Sequence, residues 1–248
     1  AVFASYLIRI RPTHPELLPD YLGRLIESKI FKRFVESQKG GSAQPQANAP
    51  VLKDFSFSFP EKSIQLKISN ILSAYDDLIE NNNRRIALLE ESMRLLYREW
   101  FVRLRFPGHE HVRVVDGLPE GWERKSVRDI VTESKDLVDP NDIDPDTPYV
   151  GLEHIPRKSI TLTNWGKASD VTSSKFRFHQ NDILFGKIRP YFHKVVFAPL
   201  DGICSSDTIV YQVSNPEFFG LALAVISSEE FVNFTSKTSK EGAKMPRA

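Results

Sequence analysis

The feature that most constrains this chain is a long stretch without a helix breaker. Between Glu61 and Phe106 there is no Gly or Pro. Apolar residues recur there in two rows. Leu72, Ile79, Ile86, Met93 and Trp100 form one, and Ile68, Tyr75, Asn82, Leu89 and Leu96 form the other. The rows alternate at spacings of four and three, the seam of a coiled coil. At about 1.5 Å per residue, a helix over most of the stretch is roughly 60 Å long. So long and narrow a helix cannot bury its stripe on itself, so the pattern predicts a partner helix from the same chain or another. Asn82 at a seam position reads either as a residue that fixes register and partner or as a solvated notch. Asp76, Asp77 and Glu80 against Arg84 and Arg85 predict i,i+4 pairs on the outer face.

Composition leaves room for globular units at both ends. A chain of 248 residues with 41% hydrophobic content can bury real cores, in one large domain or two smaller ones. The net charge of +1 says little, because nucleic-acid binding depends on a local basic surface and not on the sum. Cys204 is the only cysteine, which excludes an internal disulfide and any metal site built on several cysteines. With no signal peptide or bilayer-length apolar run, the expected setting is reducing and cytoplasmic, with no membrane role. The chain begins without Met in AVFASYLIRI, read as a strand, and so reads as a piece of a longer polypeptide.

The two ends repeat each other. Pro15-Glu16 falls on Pro216-Glu217. After a one-residue shift, Ile26, Ser28, Phe31 and Phe34 fall on Ile226, Ser228, Phe231 and Phe234. A second shift places Lys39, Gly41, Pro45 and Ala47 on Lys240, Gly242, Pro246 and Ala248. Each copy reads as strand, turn, amphipathic helix and Lys/Gly-rich loop. In the first copy Phe55, Phe57 and Phe59 alternate with serines, predicting a half-buried strand, and Pro60 then opens the long helix. By analogy a second long helix is expected after Ala248, as the partner of the first.

Beyond the long helix, PGHEHVRVVDGLPEGW carries turn signals and reads as a linker. The runs YVGLEHI, SITLTNW, KFRFHQNDILFGKI, YFHKVVFAP and TIVYQV predict a β-rich unit, followed by a helix around 221–234. Within it, Arg177, Lys187, Arg189 and Lys194 oppose only Asp182, with His179, Tyr191, Phe192 and His193 interleaved. Gly186 and Pro190 predict a tight turn that presents cations at a strand end, suited to phosphate and base-edge contacts on duplex DNA. An ordinary solvated hairpin has the same composition. The loop with Lys240, Lys244 and Arg247, and its repeat counterpart with Lys39, Gln44 and Gln46, are further candidate groove readers, or plain surface loops.

Enzyme signatures are missing. GGSAQPQ lacks the Gly-Lys-Ser/Thr of a phosphate-binding loop. Asn215-Pro216-Glu217-Phe218 departs from the Asn-Pro-Pro-Phe of amino-methyltransferases and reads as a turn. Ser205-Ser206-Asp207 lacks a nucleophile-elbow glycine pattern and reads as structural. His109 and His111 have metal-like spacing without supporting ligands and read as linker residues. No catalytic or metal residue is assigned.

The stretches LPEGWE, DILFGKIRPYFHKV and FPEKSIQLKISNILSAYDDLIENNNRRIALLEESMRLLYREWF resemble the specificity (S) subunit of type I restriction–modification systems, the last almost end to end. The resemblance covers nearly the whole chain. It implies an α+β fold in which β-rich target-recognition domains with small helices are joined by a long coiled-coil-type conserved helix. Residues 1–59 correspond to the C-terminal part of a first recognition domain, 60–106 to the spacer helix, 107–116 to a linker and 117–248 to most of a second domain. The first half of domain one and the second conserved helix are departures from the family pattern. The resemblance implies a non-catalytic subunit that binds double-stranded DNA, one half of a split target per domain, with helix length setting their spacing. It implies modification subunits that use S-adenosylmethionine to methylate adenine, and restriction subunits that use ATP and Mg, with no cofactor in this chain. Part of the outer helix surface, near Asp76–Arg85, would dock the catalytic subunits. The residues read alone leave open a coiled-coil scaffold with lectin-like or peptide-binding β domains and no DNA role.

Overall fold

A computed structural model describes residues 7–38 and 49–238. Lys39, Gln44, Gln46, Lys240, Lys244 and Arg247 lie outside the described residues, as does most of the first expected strand. The chain divides into two compact units, Ala1–Asn83 and Arg84–Ala248. The class is α+β, with helices around one long helix and β-sheets after it.

The N-terminal unit is helical: α1 (Pro19–Glu27), α2 (Lys29–Ser37), the short α3 (Ala49–Lys53) and the first part of α4 (Lys62–Tyr97). The single helix expected in this copy is two helices. Ser28 adopts extended backbone between them, and its Oγ accepts from the Phe31 N–H, capping α2. The strand expected at Phe55–Phe59 has no ladder among the described residues. Period two does place its rings in one row. Phe55 and Phe57 stack at 5.7 Å, Phe57 and Phe59 lie 6.0 Å apart, and Phe31 and Phe34 close on Phe55 at 5.1 and 5.0 Å. Arg24 pairs with Asp76 and donates to Ser73 Oγ at 3.0 Å, fastening α1 to α4. That pairing replaces the expected contacts of Asp76 along the helix. The expected pairs of Asp77 and Glu80 with Arg84 and Arg85 are not among the ion pairs of the described residues.

At 36 residues, α4 is about 54 Å long. It continues through a π-helical turn at Arg98–Val102, with Arg103 N–H donating to the Arg98 carbonyl at 2.9 Å. The helix expected to reach Phe106 ends there. Leu104 takes a left-handed backbone (φ 58°), and Phe106 and Phe101 pack on Trp122 at 4.9 and 5.6 Å, turning the chain off the axis. Of the predicted seam, Ile68, Ile86 and Met93 are half-buried, and Met93 packs on the core of the C-terminal unit. Leu72, Tyr75, Ile79, Asn82, Leu89, Leu96 and Trp100 are exposed.

The C-terminal unit opens with a two-residue hairpin, β1 (Val114–Val115) and β2 (Leu118–Pro119). Its turn, Asp116-Gly117, has positive φ at both positions (51° and 76°), as a type I′ turn requires. The remaining strands are β3 (Val131–Ser134), β4 (Leu137–Val138), β5 (Pro148–Val150), β6 (Gly166–Lys167), β7 (Lys175–Phe178), β8 (Ile183–Gly186), β9 (Val195–Phe197), β10 (Gly202–Cys204) and β11 (Thr208–Val213). They form a mixed five-stranded sheet, β4-β7-β10-β5-β6, and an antiparallel four-stranded sheet, β3-β11-β8-β9. The run expected as a strand at 159–165 contributes only a bridge from Thr161 to Phe197.

Side-chain alternation along β8 explains the layering. Leu184 joins Val150, Phe178, Val196, Cys204 and Val210 in the core between the sheets. Ile183 and Phe185 point the other way, onto Ala222, Leu223 and Ile226 of α5 (Phe219–Ile226) and Val232 of α6 (Glu229–Thr238). A strand covered on both faces reads as a continuous apolar run, which is what ILFG is. The expected helix at 221–234 is again two helices, and Ser228 Oγ accepts from Phe231 N–H at 3.1 Å. Ser28 and Ser228, paired by the repeat, thus make the same cap. Among the described residues no single helix is long and apolar enough to cross a membrane.

Candidate nucleic-acid interface

The basic, aromatic stretch connects β8 to β9, which pair Ile183 with Phe197 and Phe185 with Val195. Between them Pro190–Phe192 forms a single 3-10 turn. Arg189 and His193, on either side of it, both have left-handed backbones, with φ of 50° and 54°. Non-glycine residues seldom adopt that region, so neighbours must hold it. Phe192 N–H donates to the Arg189 carbonyl, and His193 N–H to that of Pro190, both at 2.8 Å. Lys187 N–H donates to the Asp207 carbonyl at 3.0 Å, and Gly186 N–H to that of Lys194 at 2.9 Å.

The structure brings Lys187, Arg189, Tyr191 and Lys194 into this one connection, and they divide by environment. Tyr191 is exposed and meets Phe192 edge-on at 4.9 Å. Arg189 is half-buried, with its guanidinium 5.8 Å from the Phe192 ring centre. Lys187 is half-buried, its ammonium 5.9 Å from the Phe176 ring centre. Lys194 turns inward and donates to the Leu152 carbonyl. Burial first, and then the neighbouring Arg157 cation, lower its pKa from the ordinary lysine value. Lys194 therefore serves the architecture of the turn more directly than Lys187, Arg189 or Tyr191.

His193 is also structural. Its Nε2–H donates to the Ser227 carbonyl at 2.8 Å, tying the turn to the end of α5. Burial lowers its pKa, with Lys158 and Arg94 acting in the same direction, while the Ser227 bond and Glu229 raise it. The ring is thereby favoured in its neutral form.

Two cations that were not singled out in the sequence complete the patch. Arg157 is exposed, with its guanidinium 3.9 Å from the Phe192 ring centre. Lys158 is exposed, left-handed (φ 58°), and donates its N–H to the His193 carbonyl at 2.9 Å. Their segment is held from α4. Glu90, buried, accepts at Oε1 from Ser159 Oγ (2.7 Å), Ile160 N–H (3.1 Å) and Thr161 Oγ1 (2.9 Å). Arg94 pairs with Glu90 Oε2 at 3.3 Å and donates to the Lys158 carbonyl at 2.7 Å. Among the described residues Arg157, Lys158 and Arg189 take part in no ion pair. The arrangement presents unpaired cations beside exposed aromatic surface, chemistry that suits a polyanion with planar bases.

The other candidates fall into ordinary structure. Asp207 N–H donates to Ser205 Oγ at 3.2 Å in a turn between β10 and β11. His109 Nδ1 contacts the Phe106 carbonyl at 2.9 Å at the start of the linker.

The family model described as the type I restriction modification DNA specificity domain matches residues 1–91. A specificity subunit of the type I restriction enzyme MjaIX of Methanocaldococcus jannaschii is 29% identical over 182 residues, covering 69% of this chain and 42% of the relative. That of EcoDI from Escherichia coli is 25% identical over 220 residues, 76% and 47% of the two chains. That of HindI from Haemophilus influenzae is 31% identical over 105 residues, 41% and 22%. The chain spans less than half the length of these relatives. Among solved structures, a type I R-M system chain aligns with a TM-score of 0.43 at 22% identity, over 52% of this chain and 35% of that one. The HsdS subunit of Thermoanaerobacter tengcongensis aligns with a TM-score of 0.35 at 15% identity, over 96% and 60%. The resemblance to specificity subunits read in the sequence is borne out by the family model and these relatives.

Proposed function

We propose that this chain, whose residues 1–91 match the DNA specificity domain of type I restriction–modification systems, is a DNA sequence-recognition subunit of such a complex. It acts by binding and not by catalysis. The observation that carries this reading is the group of unpaired cations and aromatics at the β8–β9 turn, in a chain with that match. Residues 1–59 and 117–248 then belong to two target-recognition domains, 60–106 is the spacer helix between them and 107–116 a linker. Phosphate contacts fix position on the duplex, and base-edge contacts in the grooves specify sequence. Lys187, Arg189 and Tyr191 are the foremost contacts. Lys240, Lys244 and Arg247, with Lys39, Gln44 and Gln46 in the repeat copy, are proposed as further ones. The exposed members of the two rows, Leu72, Tyr75, Ile79, Asn82, Leu89, Leu96 and Trp100, are the seam for a partner helix, and the Asp76–Arg85 region faces the modification subunits. Those subunits bring S-adenosylmethionine, and restriction subunits bring ATP and Mg, in a cytoplasmic assembly.

Arg189 supplies the test. In the full-length protein, Arg189→Ala weakens binding to the target duplex by about 1–3 kcal/mol if Arg189 reads a base. Equal weakening on every duplex, with a shallower salt dependence, assigns it to phosphate instead. The backbone conformation of Arg189 sharpens the comparison. Arg189→Gly relieves the left-handed geometry and keeps the fold, so loss of binding there isolates the side chain. Affinity that stays unchanged and ignores salt contradicts the reading.

A further inference from the structure

Resting on that DNA-recognition reading, we propose that Arg157 is a phosphate-contacting residue of the interface and that Phe192 is its positioning residue. The Phe192 ring carries two guanidinium groups, Arg157 at 3.9 Å and Arg189 at 5.8 Å from its centre. Neither is in an ion pair among the described residues. Two cations gathered on one ring, neither held by an ion pair among the described residues, concentrate positive charge there, and the face of the ring attracts each of them. The stack also fixes the plane of the Arg157 guanidinium. A planar fork held in place loses less freedom when it meets a phosphate than a solvated side chain does.

The surrounding backbone gives an independent observation. Lys158, Arg189 and His193 have φ of 58°, 50° and 54°, three left-handed non-glycine residues in the two segments that meet here. They interlock, since Lys158 donates to the His193 carbonyl and Phe192 to that of Arg189. Strained positions gathered in this way occur where the surroundings over-determine them, as at ligand sites. Behind them Glu90 and Arg94 hold residues 158–161 on α4, so the loop bearing Arg157 is anchored. An ordinary solvated hairpin end has none of these supports.

The experiment is a salt titration of duplex DNA binding by the full-length protein, with target and unrelated duplexes side by side. Arg157→Ala lowers the steepness of log K against log salt by about 0.9, the value for one phosphate, which is about fivefold in affinity at 0.15 M salt. The loss is the same on both duplexes, because a phosphate contact carries no sequence information. Phe192→Leu reproduces part of it, and Phe192→Tyr, which keeps the ring face, restores it. Arg157→Lys keeps the charge and loses the stack, so it falls between wild type and Arg157→Ala. An Arg157→Ala protein whose slope and affinity match wild type, while salt still weakens binding, overturns the Arg157 assignment and leaves DNA recognition standing. Should Phe192→Leu fail to fold, Arg157→Ala and Arg157→Lys decide alone, since Arg157 is exposed. A wild-type protein that binds neither duplex sinks the recognition reading itself, and Arg157 with it.

Discussion

Replacing Glu90 with alanine lowers the stability of the C-terminal unit by about 2–4 kcal/mol. The carboxylate is buried, and one of its oxygens accepts from Ser159 Oγ, Ile160 N–H and Thr161 Oγ1. Truncation leaves those donors without an acceptor and Arg94 without its charge partner at 3.3 Å. A stranded buried donor is destabilising by about 1–3 kcal/mol, and hydrogen bonds to a charge are the stronger kind. Arg94 is about one-third exposed, so water takes up part of the loss, which keeps the figure below that for a fully buried pair. Glu90→Gln retains an acceptor at the same place and loses less, about 1 kcal/mol. The three tryptophans, Trp100, Trp122 and Trp165, all lie in this unit, so urea unfolding followed by their fluorescence reads it directly. A Glu90→Ala midpoint equal to wild type contradicts the clamp. The same substitution loosens residues 158–161 and with them the segment that carries Arg157.

Gln65→Leu lowers the stability of the N-terminal unit by about 2–3 kcal/mol, although leucine is apolar and close in size. Gln65 is fully buried. Its Oε1 accepts from Leu18 N–H at 2.9 Å, and its Nε2 donates to the Glu16 carbonyl at 2.9 Å and the Pro60 carbonyl at 2.6 Å. The amide joins the turn before α1 to the first turn of α4, and leucine leaves all three backbone groups unsatisfied inside the protein. Tryptophan fluorescence does not see this unit. Hydrogen exchange at the Leu18 amide does, and protection there falls by about 30- to 150-fold, the exchange equivalent of that destabilisation. Unchanged protection would mean that Gln65 is a passenger.

Gln65 and Glu90 are anchors that a sequence pattern does not reveal. The long helix was legible because Gly and Pro are missing and apolar residues keep a heptad period. Gln65 and Glu90 were not, since a polar residue on an amphipathic helix reads as solvated face, and only tertiary contact makes it an anchor. The helix ends at Val102, four residues before the expected Phe106, for a similar reason, because the packing of Phe101 and Phe106 on Trp122 ends it. The paired helices of each repeat copy read as one in the sequence, since a single serine within an apolar period is a weak stop signal until it is seen capping. At the candidate interface, the β8–β9 connection announces itself through its density of cations and rings. Arg157 and Lys158 did not, because they sit about thirty positions earlier in what reads as an ordinary Pro-Arg-Lys turn, and only in the fold does the Phe192 ring unite Arg157 with Arg189 and the Lys158 N–H reach the His193 carbonyl.

Under the proposed function the protein specifies a DNA sequence for a modification enzyme. This is tested most directly by sequencing the methylated bases in cells that express the full-length protein together with its modification subunits. The expected result is a new methylated-adenine motif in two parts with a fixed gap, which vanishes when this protein is omitted. An adenine methylation pattern that is unchanged by the protein, with no two-part motif, contradicts it.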